Sequence, residues 1–138
     1  MVDGGTSKQI AKTQLYEVFA EIGKALSSAS RLELLELLSQ VPRTVEELAE
    51  QAHLSLANTS QHLQRLKAAG LVITEREGTY IRYRLADPAV ARLWLELRAV
   101  AEQRLPGPGA QKSFDRLHRP LRFSSHPPQG SAQSAAVE

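Results

Sequence analysis

The sequence predicts a mainly α-helical domain with one small β-hairpin: about five helices and a two-stranded ribbon. Three observations lead there. From Lys8 to Gly70 apolar residues recur at the helical spacing of three and four. Over Leu71–Leu85 the period falls to two on either side of a glycine-containing turn. After Asp87-Pro88 the helical spacing returns. With 138 residues and a 42% hydrophobic fraction, the chain can fill one core. Residues 8–105 are expected to form the domain, after a flexible start at 1–7. Residues 106–138, rich in Pro, Gly and Ser, are expected to be disordered.

Each element has its own signal. Leu15, Val18, Phe19, Ile22 and Leu26 line one face of a first helix over Lys8–Leu26. The run "SSASRLELLELLSQ" starts a second, with Ser28 or Ser30 as N-cap and Leu32, Leu35 and Leu38 facing inward. Val41-Pro42-Arg43 stops it. "TVEELAEQAH" opens with Thr44 and Glu47 at capping-box spacing. Ser55 caps the next helix and Gly70 ends it. In "LVITEREGTYIRYRL", Ile81, Tyr83 and Leu85 fall on one side of a strand and Tyr80, Arg82 and Arg84 on the other. Asp87 and Pro88 cap and begin a last helix bearing Val90, Leu93, Trp94, Leu97 and Val100. In the tail, Pro120 interrupts the one apolar cluster, Phe114, Leu117 and Leu121. No internal repeat is visible.

There is no cysteine, so disulfides and thiolate metal sites are excluded. The N-terminus lacks the apolar run of a signal peptide and no segment could span a bilayer, so a cytoplasmic location is expected. The formal charge of +2 is unevenly placed. Residues 55–84 hold Arg65, Lys67, Arg76, Arg82 and Arg84 against Glu75 and Glu77, whereas Glu46, Glu47 and Glu50 crowd the preceding helix without a base. Positive charge concentrated in one region is the footprint of a polyanion partner.

The segment "LSLANTSQHLQRLKAAGLV" carries the most chemistry. With Thr59, Leu63 and Leu66 on one side of the helix, the other presents Ala57, Ser60, Gln61, Gln64 and Arg65. An ordinary solvated face would be lined with Lys and Glu. Amides match the donor and acceptor pattern of adenine in the major groove, and arginine matches guanine. Two short capped helices joined by about one residue, followed by a basic hairpin, make a winged helix-turn-helix. Gln61 and Gln64 are then the expected base readers, with Asn58 beside them and Ser60 and Arg65 at base or phosphate. Ala57 permits close approach, and Ser55 with the first-turn N–H groups would meet phosphate. In the wing, Arg76 and Arg82, assisted by Thr79 and Tyr80, are expected at phosphates or in the minor groove.

In this order "ALSSASRLELLELL", "LAEQAHLSLANTSQHLQRLKAAGLV" and "EGTYIRYRL" resemble the ArsR/SmtB family of bacterial winged-helix transcriptional repressors, over roughly residues 14–104. Within it the chain is most similar to the DNA-binding half of ArsR–rhodanese fusion proteins, though it has neither the length nor the cysteine for the second domain. The resemblance implies a homodimer joined through the first and last helices. Both helices carry more apolar surface than a small domain needs, with Phe19, Leu93, Trp94 and Leu97 as candidate seam residues. A two-fold dimer would read a near-palindromic double-stranded operator.

The resemblance also implies where a sensor would sit. The family's thiolate motif falls on Thr44 and Glu46, and its second metal site on Asp87, Ala89, Val100 and Gln103. Neither set suits zinc. His53 and His62 stand singly, and His118 and His126 lie in the tail. No metal and no cofactor are expected. Nor is enzymatic activity, because no carboxylate pair, nucleophile–base set or phosphate-cradling glycine loop is present. The competing function is a winged helix used only for protein–protein contact, since fold does not fix function.

Overall fold

Four of the five helices begin where an oxygen-bearing side chain takes a backbone N–H of the first turn. In the computed structural model, which describes residues 4–107, the elements are α1 (Gly4–Ala25), α2 (Ala29–Gln40), β1 (Arg43–Thr44), α3 (Val45–Ala52), α4 (Leu56–Ala68), β2 (Val72–Glu77), β3 (Tyr80–Leu85) and α5 (Pro88–Arg104). Ser28 accepts from the Arg31 N–H at 3.3 Å, Thr44 from Glu47 at 3.2 Å, and Ser55 from Asn58 at 3.1 Å. Asp87 accepts from Ala89 at 2.7 Å, with Pro88 in the first turn. Each cap contributes about 1 kcal/mol and fixes where its helix starts. For α2 the choice between Ser28 and Ser30 falls to Ser28.

The ends are equally specific. Gly70 has φ +77, its N–H reaches the Lys67 carbonyl and the Leu71 N–H reaches Leu66, both at 3.0 Å. This closes α4 and folds Leu71 back into the core beside Leu66. The turn between α3 and α4 uses the same geometry without glycine. His53 adopts φ +55, and the Leu54 N–H bonds to the Ala49 carbonyl at 3.0 Å. At the hairpin tip only Gly78 has positive φ, +62, between the paired Glu77 and Tyr80, the pattern of a type II′ turn.

The core gathers Leu34, Leu35 and Leu38 of α2, Leu48 and Ala52 of α3, Leu63 and Leu66 of α4, and Val72, Tyr83 and Val90. Leu34 replaces Leu32 in the expected inner row; Leu32 is half-buried, because α2 packs between α3 and α4 and so buries a broader face than a single stripe. The sheet has three strands rather than two, all antiparallel in the order β1-β3-β2. The added strand pairs Arg43 with Tyr83 and Thr44 with Arg82. Two residues are too few to show alternation, and Pro42 beside them reads as a break. On β3, Tyr83 is buried and Leu85 half-buried, but Ile81 is exposed because the hairpin runs out past the core.

Arg43 is only 1% exposed. Its Nε donates to the Leu37 carbonyl at 3.2 Å and an Nη to Gln40 Oε1 at 2.9 Å, tying β1 to the end of α2. Burial lowers its pKa and the charge of Glu47 opposes that. α1 behaves differently from the other helices. It begins at Gly4, four residues before the expected Lys8, and only Ile22 and Ala25 near its end, with the following Leu26, join the core. Residues 5–21 are exposed. Residues 4–105 belong to one unit; positions 1–3, and positions 108–138 of the expected tail with Phe114, Leu117, His118, Leu121 and His126, lie outside the described residues.

The left-handed turn residue gives a stability test. His53→Gly should keep unfolding free energy within about 1 kcal/mol of the parent, because relief of strain offsets added chain entropy. His53→Val should lose about 1–2 kcal/mol. Urea denaturation checks both, and a valine variant as stable as the parent would contradict the assigned turn.

Candidate nucleic-acid interface

α4 is held by three side chains with no exposed surface, Thr59, Leu63 and Leu66. The Thr59 hydroxyl donates to the Ser55 carbonyl at 2.8 Å, so its polarity is satisfied inside the first turn. With that row buried, the 3.6 period turns Ala57, Asn58, Gln61, Gln64 and Arg65 outward. All five are exposed, as is Ser55, and Ser60 is half-buried at the edge. The Ser55 hydroxyl oxygen accepts from the Asn58 N–H, which leaves its proton available to a further acceptor. Leu56, at the first position of α4 and 51% exposed, was not anticipated; an apolar residue beside a cap reads as packing.

The wing projects as a two-stranded ribbon in which Val72 is buried and the residues from Glu75 to Ile81 are exposed. Thr79 and Tyr80 stand at its tip, Tyr80 at 64% exposure. Arg82 pairs with Glu77 at 2.8 Å, and Arg84 with Glu75 at 2.5 Å. Arg76 has no ion pair among the described residues. The wing therefore presents Arg76 without an ion pair among the described residues and two cations held by neighbouring acids, Arg82 and Arg84. The sequence places Arg76 and Arg82 together in the wing; the pairing of Arg82 and Arg84 with acids across the strands is not legible there, because register decides it.

His62, on the flank of α4, faces inward more than its isolation in the sequence suggested. Its Nδ1 lies 3.4 Å from an Nη of Arg31. The rest of that guanidinium donates to the Ala25 and Lys24 carbonyls of α1, at 2.6 and 3.0 Å. Burial lowers the His62 pKa, and the charges of Arg31 and Arg65 lower it further.

Away from this face, α1 and α5 expose apolar side chains. Phe19, 52% exposed, meets Tyr16 edge-on with ring centres 5.4 Å apart, and Ile10, Leu15 and Val18 are exposed nearby. On α5, Leu93, Leu95 and Val100 are exposed while Trp94 and Leu97 are half-buried. Among the described residues no three His, Asp or Glu side chains converge as a metal site, and none of the helices is long and apolar enough to cross a membrane.

A short-turned helix pair, a capped second helix with an amide-bearing outer face and a following antiparallel ribbon define a winged helix-turn-helix protein. Residues 28–74 match the model of the "bacterial regulatory protein, arsR family". The chain is 43% identical over 94 residues to the HTH-type transcriptional regulator Rv0324 of Mycobacterium tuberculosis, covering 68% of this chain and 42% of that protein. To the HTH-type transcriptional regulator KmtR of the same organism it is 39% identical over 87 residues, covering 63% and 67%. Among solved structures it is similar to the homodimeric winged helix-turn-helix DNA-binding domain of Mb0332 from Mycobacterium bovis, with TM-score 0.65 and 42% identity over 67% of this chain and 86% of that one. The chain belongs to the arsR family of bacterial regulatory proteins.

The half-buried imidazole of His62 predicts a pH dependence with a definite sign. Because the folded state holds the His62 pKa below its ordinary value of about 6.5, the unfolded chain binds the extra proton first as pH falls. The stabilising contribution is therefore complete above that value and is lost as pH drops through the folded pKa. Thermal unfolding between pH 7.5 and 5 should show the decline, and His62→Gln should lessen it; an unchanged profile in the variant would remove His62 as its source.

Proposed function

We propose that this chain is a dimeric, sequence-specific DNA-binding transcriptional regulator of the cytoplasm, acting as a repressor without the metal and thiol sites by which many of its family are controlled. The observation that carries the reading is the outward amide face of α4, rolled into place by Thr59, Leu63 and Leu66. Gln61 and Gln64 read base edges, with Asn58 beside them. Ala57 allows the backbone close to the groove floor, and Ser55, Ser60 and Arg65 take phosphate or base. Arg76, Thr79 and Tyr80 engage the flanking strand, with Arg82 released from Glu77 to join them. Repression follows from the resemblance, as does kinship with the DNA-binding half of rhodanese fusions. In keeping with the latter, Rv0324 extends well beyond the region matched here.

The absence of the usual sensors is supported by what the corresponding residues do. The Thr44 hydroxyl and Asp87 Oδ1 each accept a helix-cap hydrogen bond. Ala89 and Val100 offer no donor atom, and Gln103 offers only a neutral amide. Purified protein is therefore expected not to bind zinc tightly through Asp87.

The dimer is supported by the run of exposed apolar side chains on α1 and α5, among them Ile10, Leu15, Val18, Phe19, Leu93, Leu95 and Val100. Phe19, Leu93, Trp94 and Leu97 are proposed at its seam. A two-fold axis there would set two α4 helices about one helical turn of DNA apart. Phe19→Glu combined with Leu93→Glu should give a folded monomer by sedimentation and circular dichroism, with operator affinity lost; a persistent dimer would move the seam elsewhere.

DNA fragments selected from the source genome supply the operator for the decisive test. Arg65→Ala and Arg76→Ala should each flatten the dependence of log affinity on log salt by about one. Gln61→Ala and Gln64→Ala should cost about 1–3 kcal/mol on operator and much less on random duplex. Equal losses on both DNAs would demote the glutamines to non-specific contacts. Negligible duplex affinity at every salt concentration would leave protein–protein contact as the function.

A further inference from the structure

A cleft of about 400 Å³ opens where the end of α1, the start of α2 and the last turns of α4 meet. Its floor is small and apolar, made by Ala25, Ala68 and Ala69. Its rim is charged: Lys24 and Glu21 from α1, Arg31 from α2 and Arg65 from α4. Three cations contributed by three helices thus face one another across a space of small-ligand size, against a single acid. Such a grouping is unfavourable unless something negative offsets it. Glu21 and the carbonyl ends of α1 and α4 offset only part of it, and neither Lys24 nor Arg65 has an ion pair among the described residues.

Arg31 shows how the site is built. Its guanidinium is buried, and two of its nitrogens are fixed on the Ala25 and Lys24 carbonyls. The remaining nitrogen makes only a long contact, 3.4 Å, with His62 Nδ1. Burial is the larger cause of the low His62 pKa, and the charges of Arg31 and Arg65 lower it further. A planar, anchored guanidinium beside two mobile cations suits an oxyanion, and the alanine floor suits a short apolar body attached to it.

We propose that this cleft binds a small organic oxyanion, a carboxylate or phosphate ester, and that its occupancy weakens DNA binding. The coupling comes from Arg65, which belongs both to the cleft rim and to the outer face of α4. An anion in the cleft draws that side chain off the nucleic acid. Arg31 transmits the same event to the end of α1, the helix proposed for the dimer seam. The binding site stands on the monomer geometry alone; its effect on DNA rests on the proposed regulator function.

Phenyl phosphate is a suitable probe, with inorganic phosphate lacking the apolar body and sodium chloride holding ionic strength constant. Calorimetry on the full chain without DNA should show saturable binding of phenyl phosphate, tighter than that of phosphate. Lys24→Gln and Arg65→Gln should each weaken it at least about fivefold, and Glu21→Gln should tighten it. Lys24→Gln and Glu21→Gln change exposed side chains, so loss of the fold does not confuse the outcome. In the DNA arm, saturating phenyl phosphate should lower wild-type operator affinity and leave Arg65→Gln unmoved. No saturable binding, binding indifferent to these substitutions, or weakening by Glu21→Gln would overturn the site. Operator affinity that is untouched by the bound anion would overturn the coupling. If Lys24→Gln alone costs tenfold in operator affinity, the cleft serves the DNA backbone and the effector role falls. A protein that binds phenyl phosphate as expected but no duplex would instead refute the regulator function and leave the site standing.

Discussion

The roll of α4 about its own axis governs what this protein can present to a partner. Thr59, Leu63 and Leu66 have no exposed surface, and together they admit one orientation of the helix against α2 and α3. A rotation of one residue, about 100°, would expose leucines and bury either Ser60, Gln64 and Lys67 or Asn58, His62 and Arg65. Burial of each leucine side chain stabilises by about 1.5–3 kcal/mol, and an amide buried without partners costs a similar amount again. Both effects favour the same orientation. Thr59 sharpens it, since its hydroxyl has a partner only while the first turn keeps its bond to the Ser55 carbonyl. The specificity of the outer face is therefore set from within, by residues that touch no ligand.

Arg31 extends that control to α1. The helix is 22 residues, about 33 Å long, yet only its last turn contributes to the core. Its direction is therefore fixed by few contacts, among which the Arg31 bonds to the Ala25 and Lys24 carbonyls are the polar ones. Hydrogen bonds from a charged donor contribute about 1.5–3 kcal/mol each, enough to matter for an element packed so lightly. The same guanidinium approaches His62 on α4. The helix exposing apolar surface and the helix exposing amides are joined through one side chain, although they are far apart in sequence.

Much of this was legible in the residues. The caps Ser28, Thr44, Ser55 and Asp87 could be read because each acts on a backbone group two or three residues away, and Gly70 marked its helix end for the same local reason. The buried row of α4 followed from periodicity. What escaped depends on contacts distant in sequence. β1 exists because β3 pairs with it, and nothing in Arg43-Thr44 alone announces a strand. Leu34 is inward because α2 lies between two helices. His53 gave no hint of its left-handed backbone, because a glycine ordinarily marks such a turn. The Arg31–His62 contact spans 31 residues and joins side chains that each look like surface.

The wing shows how magnitudes settle an apparent conflict. Glu75 and Glu77 look misplaced on a ribbon meant for a polyanion, since they lower its net charge. Their pairs with Arg84 and Arg82 are substantially exposed, and such pairs contribute only about 0–1 kcal/mol. Each phosphate neutralised by an arginine releases a condensed counterion, a larger gain at moderate salt. Under the proposed function, Arg82 can therefore exchange Glu77 for a phosphate at little cost. Under that function the acids lower the wing's net charge without preventing contact with DNA, and Arg76 is left to make the first approach.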